Sequence, residues 1–253
     1  MTAASTNGLS NSLAKLRREA AITSRILVME GLLDYSGHVS VRVPGKDAYY
    51  IQPSTDPRSD VDPDRMIMVD FDGNILEGAE RRPPFEIPIH GEIYRARPDV
   101  QSVLHCHMEL AIWFTMMEGV QLVPMRSRAA RWVSGIPTSN DPTHIKTKEQ
   151  GEILARDLGP HHAALMRAHG VVMVAESAPA LLVDAVHFDE NAKAQMQVLQ
   201  AGQKPVPLSR QELDLLEKSE MREFHVGKLW NYYLRKAEKA GVISSEWAKE
   251  EQA

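Results

Sequence analysis

The segment Val100-Gln-Ser-Val-Leu-His-Cys-His107 is the part of the sequence that most constrains the fold. Its apolar run predicts a buried strand. Side chains alternate between the two faces of a strand, so His105 and His107 should point to one side and Cys106 to the other. Two imidazoles on one side of a rigid strand are an arrangement that suits a transition-metal ion.

The stretch Glu86-Ile-Pro-Ile-His90 precedes this strand and leads into residues 91–97, which carry apolar residues at helical spacing. Pro98 should end that helix. Glu86 would lie at the helix N-terminus, where a carboxylate is favoured electrostatically even without a function. Alternatively, it is a carboxylate near a metal and suited to proton transfer, with His90 as its partner or as a residue of the first helical turn.

A third histidine, His169, precedes Gly170 where two apolar strands are expected to meet. Neutral imidazoles suit zinc and similar divalent ions, and three of them leave positions open for substrate. A lone histidine at a strand end is usually structural. The spacing alone therefore leaves both a metal site and a structural role open for His105, His107 and His169.

The rest of the sequence alternates short strands with helices and contains no repeat or clear linker. Strands are expected at 37–43, 48–52, 65–70, 74–76, 120–124, 163–170 and 171–175, and helices at 12–29, 108–117, 148–158, 177–199 and within 208–239. Residues 125–147 are predicted to form a long loop of the kind that carries function or an interface. This order predicts one α/β domain over residues 1–253, with a core at about 12–235 and a disordered segment 1–10.

Composition restricts the class of protein. The chain has 253 residues, with 43% hydrophobic and 25% charged residues, which is typical of a globular protein. A net charge of -5 gives no basic surface for nucleic acid. No apolar run approaches the ~20 residues that span a bilayer. The absence of a secretory signal and the single cysteine lead us to expect a cytoplasmic protein.

Two further groups of polar residues are candidates for binding. His38 lies on a predicted strand whose polar face would ordinarily be solvated. Ser54, Thr55 and Arg58 lie in a loop that could hold an anion, although hydroxyl-rich loops are common.

Taken together, these motifs resemble the class II aldolase/adducin family over roughly residues 12–235. The resemblance rests on motifs that occur in the family's order: Gly37-His-Val-Ser-Val-Arg42, Gln52-Pro-Ser-Thr55, Glu86 with His90, Arg97-Pro-Asp-Val100, His105-Cys-His107 and His169-Gly170. It implies a three-layer α/β/α fold with a central, largely antiparallel sheet. It also implies a homotetramer with active sites at subunit interfaces, to which a neighbour's Trp230, Tyr232 or Tyr233 could contribute.

By this resemblance, His105, His107 and His169 match the family's three metal ligands, and Glu86 matches its acid/base carboxylate. The expected cofactor is a divalent ion, zinc first, with manganese, cobalt or iron as alternatives. The structural, adducin-like branch of the family typically lacks this set of residues. A scaffold without catalytic activity is therefore the less favoured interpretation.

The sequence departs from family members that act on sugar phosphates. Those proteins have Gly-Asn in place of Gly37-His38, hydroxyl residues in place of Pro84-Phe85, and Pro-Ser-Gly in place of Pro53-Ser54-Thr55. Proline has no N–H and phenylalanine has no hydroxyl to donate to a phosphate. The pattern is similar to the family's decarboxylase branch, which acts on dihydroxyphthalates and carboxylated hydroxymuconates.

We therefore expect a metal-dependent decarboxylase of a hydroxylated aromatic or hydroxymuconate-type carboxylic acid. Glu86 is the expected proton donor, with His38 or His90 as alternatives. Residues expected to contact the substrate are Ser54, Thr55, Arg58, Phe85 and His90. The alternative is an aldolase or epimerase that uses the same metal on a non-phosphorylated hydroxy-carbonyl compound.

Overall fold

The computed structural model describes residues 3–251, and their side chains from residue 10 onward. Its helices alternate with the strands in the first two thirds of the chain and follow one another in the last third. They are α1 (Ala3–Met29), α2 (Ile87–Ala96), α3 (Glu109–Trp113), α4 (Lys148–Leu158), α5 (Ala178–Gln200), α6 (Arg210–Ser219), α7 (Arg222–Lys239) and α8 (Ser245–Glu250). Among residues 3–251, none of these helices is both long enough and apolar enough to cross a membrane.

Eight strands form one sheet in the order β4-β3-β2-β1-β5-β8-β7-β6. The strands are β1 (His38–Arg42), β2 (Ala48–Ile51), β3 (Ile67–Asp70), β4 (Ile75–Glu77), β5 (Ser102–Cys106), β6 (Thr138–Ser139), β7 (Ala163–Met166) and β8 (Gly170–Ala175). Only the β6–β7 pair is parallel among the pairs of this sheet. The prediction of a largely antiparallel sheet is confirmed.

Helices cover both faces of the sheet. On one face, Val39 of β1 and Leu104 of β5 pack in a cluster with residues of α1, α5 and α7. On the other face, Val103 of β5 packs in a second cluster with Ile93 of α2 and Leu154 of α4. This is the predicted three-layer α/β/α arrangement. Residues 38, 40 and 105 alternate with the first set, so their side chains face the α2/α4 layer.

Local sequence signals account for where several helices begin. Ser177 caps α5 by accepting a hydrogen bond from the Ala180 N–H at 3.2 Å, as its position before the apolar run predicts. Thr147 and Gln150 form a reciprocal capping box at the start of α4. This cap anchors the C-terminal end of the loop 125–147.

The predicted strand at residues 120–124 was wrong. This segment runs beside α5, and side chains of that helix satisfy its backbone groups. The Gln195 side chain accepts from the Val123 N–H at 2.9 Å and donates to the Gln121 carbonyl at 2.7 Å. Asn191 donates to the Val123 carbonyl at 2.9 Å. An apolar, β-branched stretch does not need a neighbouring strand when a helix supplies polar partners.

Other boundaries also differ from expectation. The backbone is helical from Ala3, although residues 1–10 were expected to be disordered; residues 1 and 2 lie outside the described part of the chain. The helix expected at 108–117 is regular only over Glu109–Trp113. The segment 208–239 contains two helices rather than one, because the chain bends between Ser219 and Arg222.

Candidate metal centre and its cleft

Three histidines lie close together where the end of β5 is adjacent to the start of β8. His105 is on β5, His107 follows that strand directly, and His169 lies in the turn between β7 and β8. One ring nitrogen from each lies within 4.8 Å of those of the other two. The side chain of Cys106 is buried in the cluster on the opposite face, as alternation along a strand requires. We call His105, His107 and His169 the histidine triad.

Backbone conformation allows the triad to be this close. A Cβ atom at Gly170 would lie 2.8 Å from both the Cys106 carbonyl oxygen and the His105 ring. Only glycine permits that contact between β8 and β5. Ala168, just before His169, has a φ of 52°, which is unusual for a residue with a side chain. Its N–H donates to the Thr115 hydroxyl at 2.9 Å, which helps to hold the turn.

Four of the six ring nitrogens of the triad are buried without a hydrogen-bond partner among the described residues. They are the Nε2 atoms of His105, His107 and His169, and Nδ1 of His169. His105 Nδ1 lies 3.2 Å from the Val171 carbonyl, which fixes its hydrogen there and leaves a lone pair on Nε2. Buried, unpaired nitrogens are unfavourable unless a ligand satisfies them. The donor set therefore fits a divalent metal ion.

Glu86 completes the group. One carboxylate oxygen lies 3.4 Å from His105 Nε2 and the other lies 3.6 Å from His169 Nε2. The Ile145 N–H donates to the same carboxylate at 3.0 Å. Burial alone would raise the pKa of Glu86, but His105, His169 and this N–H lower it to about 2. Glu86 is thus a carboxylate at neutral pH, which places one negative charge beside the triad.

His144 also lies at this site, although no sequence motif predicts it there. Its Nδ1 lies 3.5 Å from a Glu86 oxygen, and its ring centroid lies 5.1 Å from that of His169. His144 belongs to none of the motifs that carry the family resemblance. It belongs to the predicted functional loop 125–147, and only the fold of that loop brings it to Glu86.

Behind the triad lies a second group of polar residues between β1 and α2. His38 Nδ1 is 2.7 Å from His90 Nε2, and His90 Nδ1 is 2.6 Å from the Ser40 hydroxyl. That hydroxyl is 2.8 Å from the Tyr94 hydroxyl. Burial, followed by the nearby imidazoles, lowers the pKa of His38 well below its usual value and that of His90 to about 3. We call these four residues the buried network.

A cleft of about 300 Å³ opens beside Glu86. Its walls combine polar and cationic side chains with an exposed aromatic ring. The lining residues are Tyr35, Ser36, His38, Ser54, Arg58, Pro84, Phe85, Glu86, His144 and Lys146. Phe85 is 82% exposed and stands at the rim between this cleft and a neighbouring cavity of about 450 Å³. Lys146 lines both spaces and, like His144, was not anticipated from the sequence.

The structure does not bring every predicted substrate contact into the cleft. Thr55 is exposed in an adjoining hollow, away from the cleft lining. His90 is fully buried, and both of its ring nitrogens have hydrogen-bond partners in the buried network. Arg58 lines the cleft, but its guanidinium donates to carbonyls of Gly37, at 2.8 Å, and Asp56, at 2.7 Å. Arg58 therefore also holds the loop in front of β1.

The aromatic residues considered as contributions from a neighbouring subunit have different environments. Trp230 and Tyr233 pack in the core of their own chain, whereas Tyr232 is 58% exposed. Two of the three are thus core residues of α7. Their helical spacing could not distinguish these roles in advance.

Comparison with known proteins agrees with this geometry. The family described as Class II Aldolase and Adducin N-terminal domain matches residues 18–196. Decarboxylase NovR from Streptomyces niveus is 34% identical over 133 residues, which cover 52% of this chain and 49% of NovR. The chain thus spans about half the length of the first curated relatives it matches.

A more extended match is the 3,4-dihydroxyphthalate decarboxylase of Arthrobacter keyseri, 27% identical over 205 residues, covering 75% of this chain and 81% of that protein. Among solved structures, an aldolase II superfamily protein from Pseudomonas syringae superposes with a TM-score of 0.76 at 22% identity, covering 90% of this chain and 94% of that one. This second likeness concerns the fold alone. Since the family match spans most of the sequence and the fold agrees with it, the chain belongs to the class II aldolase and adducin family.

Proposed function

We propose that this chain is a metal-dependent carbon–carbon lyase that decarboxylates a hydroxylated aromatic or hydroxymuconate-type carboxylic acid. The observation that carries the proposal is the set of unpaired imidazole nitrogens facing the Glu86 carboxylate beside an open cleft. The names of the decarboxylase relatives support the reaction class.

The residues that would hold the metal are His105, His107 and His169. Zinc is the first candidate, since neutral imidazoles suit it, with manganese, cobalt or iron as alternatives. When bound, the ion supplies a Lewis acid for the negative charge that develops on substrate oxygen as the carbon–carbon bond breaks. The Val171 carbonyl, hydrogen-bonded to His105 Nδ1, and the Asp34 carboxylate, 3.7 Å from His107 Nδ1, would orient two of the imidazoles.

Glu86 would move the proton. With a pKa of about 2 it is ionised at neutral pH, and it would carry the proton of the substrate hydroxyl to the neighbouring carbon that bears the departing carboxylate, which gives the keto form. The electron pair of the carbon–carbon bond would then form the carbon–carbon double bond as carbon dioxide leaves, and the negative charge would move to the hydroxyl oxygen. One proton is taken and one is delivered, so no other reactant is needed.

Side chains of the cleft wall would determine which carboxylic acid binds as substrate. Phe85 offers its exposed ring to an aromatic or planar substrate. Lys146 and Arg58 supply positive charge for carboxylates, and Ser54 offers a hydroxyl. Pro84 offers no backbone N–H and Phe85 offers no side-chain hydroxyl to a phosphate. These features favour a carboxylated, non-phosphorylated substrate.

The assembly would be a homotetramer of single-domain subunits in the cytoplasm. Support for a neighbouring subunit at the site comes from the rim, where Tyr35 is 90% exposed and Phe85 is 82% exposed. Two large aromatic side chains beside an open cleft are the kind of surface that another protein subunit covers. Tyr232 is the exposed aromatic of α7 that a neighbour could contribute.

The test is to measure carbon dioxide release by the metal-loaded protein, with and without chelator. The panel comprises 3,4-dihydroxyphthalate, its positional isomers and carboxylated hydroxymuconates. Release that a chelator abolishes and added metal restores is the expected result. An aldehyde or a stereoisomer as product would favour an aldolase or epimerase. Absence of both metal and turnover would favour a scaffold and contradict the proposal.

A further inference from the structure

The buried network joins the cleft to the interior of the α2 layer. His38 lines the cleft, and its Nδ1 begins a line of three short contacts that runs through His90 and Ser40 to Tyr94. All four side chains are at most 3% exposed. Each contact shares one hydrogen between two atoms, so the direction of one hydrogen bond sets the direction of the next.

The hydroxyl of Tyr94 decides that direction. Ser40 is the hydrogen-bond partner of this hydroxyl among the described residues. If Ser40 donated to Tyr94, the tyrosine hydrogen would be buried without an acceptor, at a cost of about 1–3 kcal/mol. Tyr94 therefore donates to Ser40, and the Ser40 hydroxyl must donate to His90 Nδ1.

The same reasoning extends to the cleft. His90, having accepted at Nδ1, carries its hydrogen on Nε2 and donates it to His38 Nδ1. His38 must then carry its own hydrogen on Nε2, the ring nitrogen that the network leaves free. This tautomer presents a hydrogen-bond donor, not an acceptor, to the cleft.

We propose that Tyr94 and Ser40 are positioning residues that act through His90 to fix His38 as the Nε2–H tautomer, so that His38 donates a hydrogen bond to an oxygen of the bound acid. Only the nature of that oxygen depends on the proposed function; the tautomer itself does not. His38 then holds the substrate and takes no part in proton transfer. Glu86 alone transfers the proton.

Packing around Tyr94 holds the side chains of the buried network in place. The Arg42 guanidinium lies 4.7 Å from the centre of the Tyr94 ring and donates to the Tyr94 carbonyl. Tyr49 packs on the other side, with its ring centroid 5.3 Å away. At the cleft end, His38 is paired with His105 in the β1–β5 ladder. Both ends of the network are thus fixed by the sheet or by buried contacts.

The neighbouring tyrosine provides a matched control. Tyr49 belongs to the same aromatic cluster and is also fully buried, but its hydroxyl donates to the Ile87 carbonyl at 3.2 Å, outside the network. Ser40→Ala and Tyr49→Phe each remove one buried hydroxyl from the same layer. Only Ser40→Ala removes both the acceptor of the Tyr94 hydrogen and the donor to His90 Nδ1, so that the network no longer favours one direction. Tyr94→Phe would keep the wild-type direction, because the Ser40 hydrogen would still need His90 Nδ1 as its acceptor.

The experiment measures ring-nitrogen chemical shifts in zinc-loaded protein labelled with ¹⁵N-histidine. The wild type and Tyr49→Phe should show His38 protonated at Nε2. Ser40→Ala should show a mixture with the Nδ1–H form, and its dissociation constant for 3,4-dihydroxybenzoate should rise about three- to tenfold as the Nε2–H form becomes less populated. Tyr49→Phe should bind this probe within twofold of the wild type.

Either of two results would overturn the inference: an Nδ1–H tautomer of His38 in the wild type, or the same His38 tautomer in Ser40→Ala as in Tyr49→Phe. Should Ser40→Ala not fold, the wild-type tautomer is measurable without any variant. The spectra require no turnover. Expected tautomers in a protein that releases no carbon dioxide would leave the network intact and refute only the proposed function.

Discussion

The histidine triad and the buried network lie next to each other on one face of the sheet, and both contain buried histidines. They differ in how many of their histidine ring nitrogens have a hydrogen-bond partner. In the network, His90 has a partner for each ring nitrogen. In the triad, each histidine keeps an Nε2 atom that is buried without a partner among the described residues.

This difference distinguishes two uses of the same residue type. A saturated histidine cannot bind anything further, but it can hold a neighbour in one orientation and tautomer. A buried nitrogen without a partner destabilises the folded protein by about 1–3 kcal/mol unless a ligand binds it. Hydrogen-bond saturation, more than burial, therefore separates the candidate metal ligands from the residues that position the cleft.

The largest effect is expected from removing a triad member. His107→Ala should lose stoichiometric metal after dialysis, and turnover should fall by at least about a thousandfold, since a Lewis acid supplies several kcal/mol of barrier lowering. Metal analysis and carbon dioxide release measure the two effects. The control is His161→Ala, outside the triad, the buried network and the cleft lining, which should retain both; retention of metal by His107→Ala would contradict the assignment.

Glu86→Gln should separate metal binding from chemistry. The triad is intact in this variant, so metal content should stay near that of the wild type, while turnover falls by about 10²–10⁴ because the proton carrier is lost. Glu92→Gln, which alters another buried glutamate of the same layer, is the control and should stay within about threefold of the wild type. Unchanged turnover in Glu86→Gln would remove that residue from the mechanism.

The pH dependence of stability tests the buried network. Burial and His105 lower the pKa of His90 to about 3, so between pH 6.5 and 3 the unfolded chain binds a proton there that the folded protein does not. The contribution to the free energy of unfolding is thus full above pH 6.5 and is lost as pH falls. From pH 7.5 to 5 this loss is about 2 kcal/mol per histidine.

Urea unfolding of the chelator-treated protein measures this contribution. His90→Gln should lose about 2 kcal/mol less than the wild type over that range, since it has one buried histidine fewer. Tyr49→Phe, which removes no histidine from the same layer, should keep the wild-type dependence. Equal dependence in His90→Gln and the wild type would mean that His90 is charged in the folded state.

The smallest effect is expected at the rim. Phe85 is 82% exposed, so Phe85→Ala should leave the free energy of unfolding unchanged within about 0.5 kcal/mol. Loss of a ring contact worth about 0.5–1.5 kcal/mol should raise KM by about two- to tenfold with little change in kcat. Phe224→Ala removes an exposed aromatic of α7 and should change neither. A raised KM in both variants would argue against a specific contact at Phe85.

The sequence predicted the triad better than its surroundings because alternation on a strand is a local property. His105 and His107 needed only the strand, whereas His169 needed the adjacent glycine that lets β8 approach β5. His144 and Lys146 have no such local signal. They reach the cleft because the loop before α4 folds back on Glu86, and the Ile145 N–H fixes it there.

The same limit explains the differences elsewhere. His90 lies four residues after Glu86, which suggested a partner of that carboxylate, and it was also expected to contact the substrate. In the structure, helix α2 directs its ring to the Ser40 hydroxyl instead. Residues 120–124 have the composition of a strand, but the side-chain amides of Asn191 and Gln195, about 70 positions away, satisfy backbone groups of this segment. Side-chain partners that are distant in sequence cannot be inferred from a local pattern.

The most direct test is diffraction from crystals soaked in zinc, recorded on both sides of the zinc absorption edge. The account predicts one strong anomalous peak in contact with His105, His107 and His169, and none in contact with His38 or His90. Two results would contradict the central claim: a zinc peak in contact with the buried network, or no peak at the triad in crystals soaked at a zinc concentration that should saturate the site. Either would show that unpaired nitrogens do not mark the metal site.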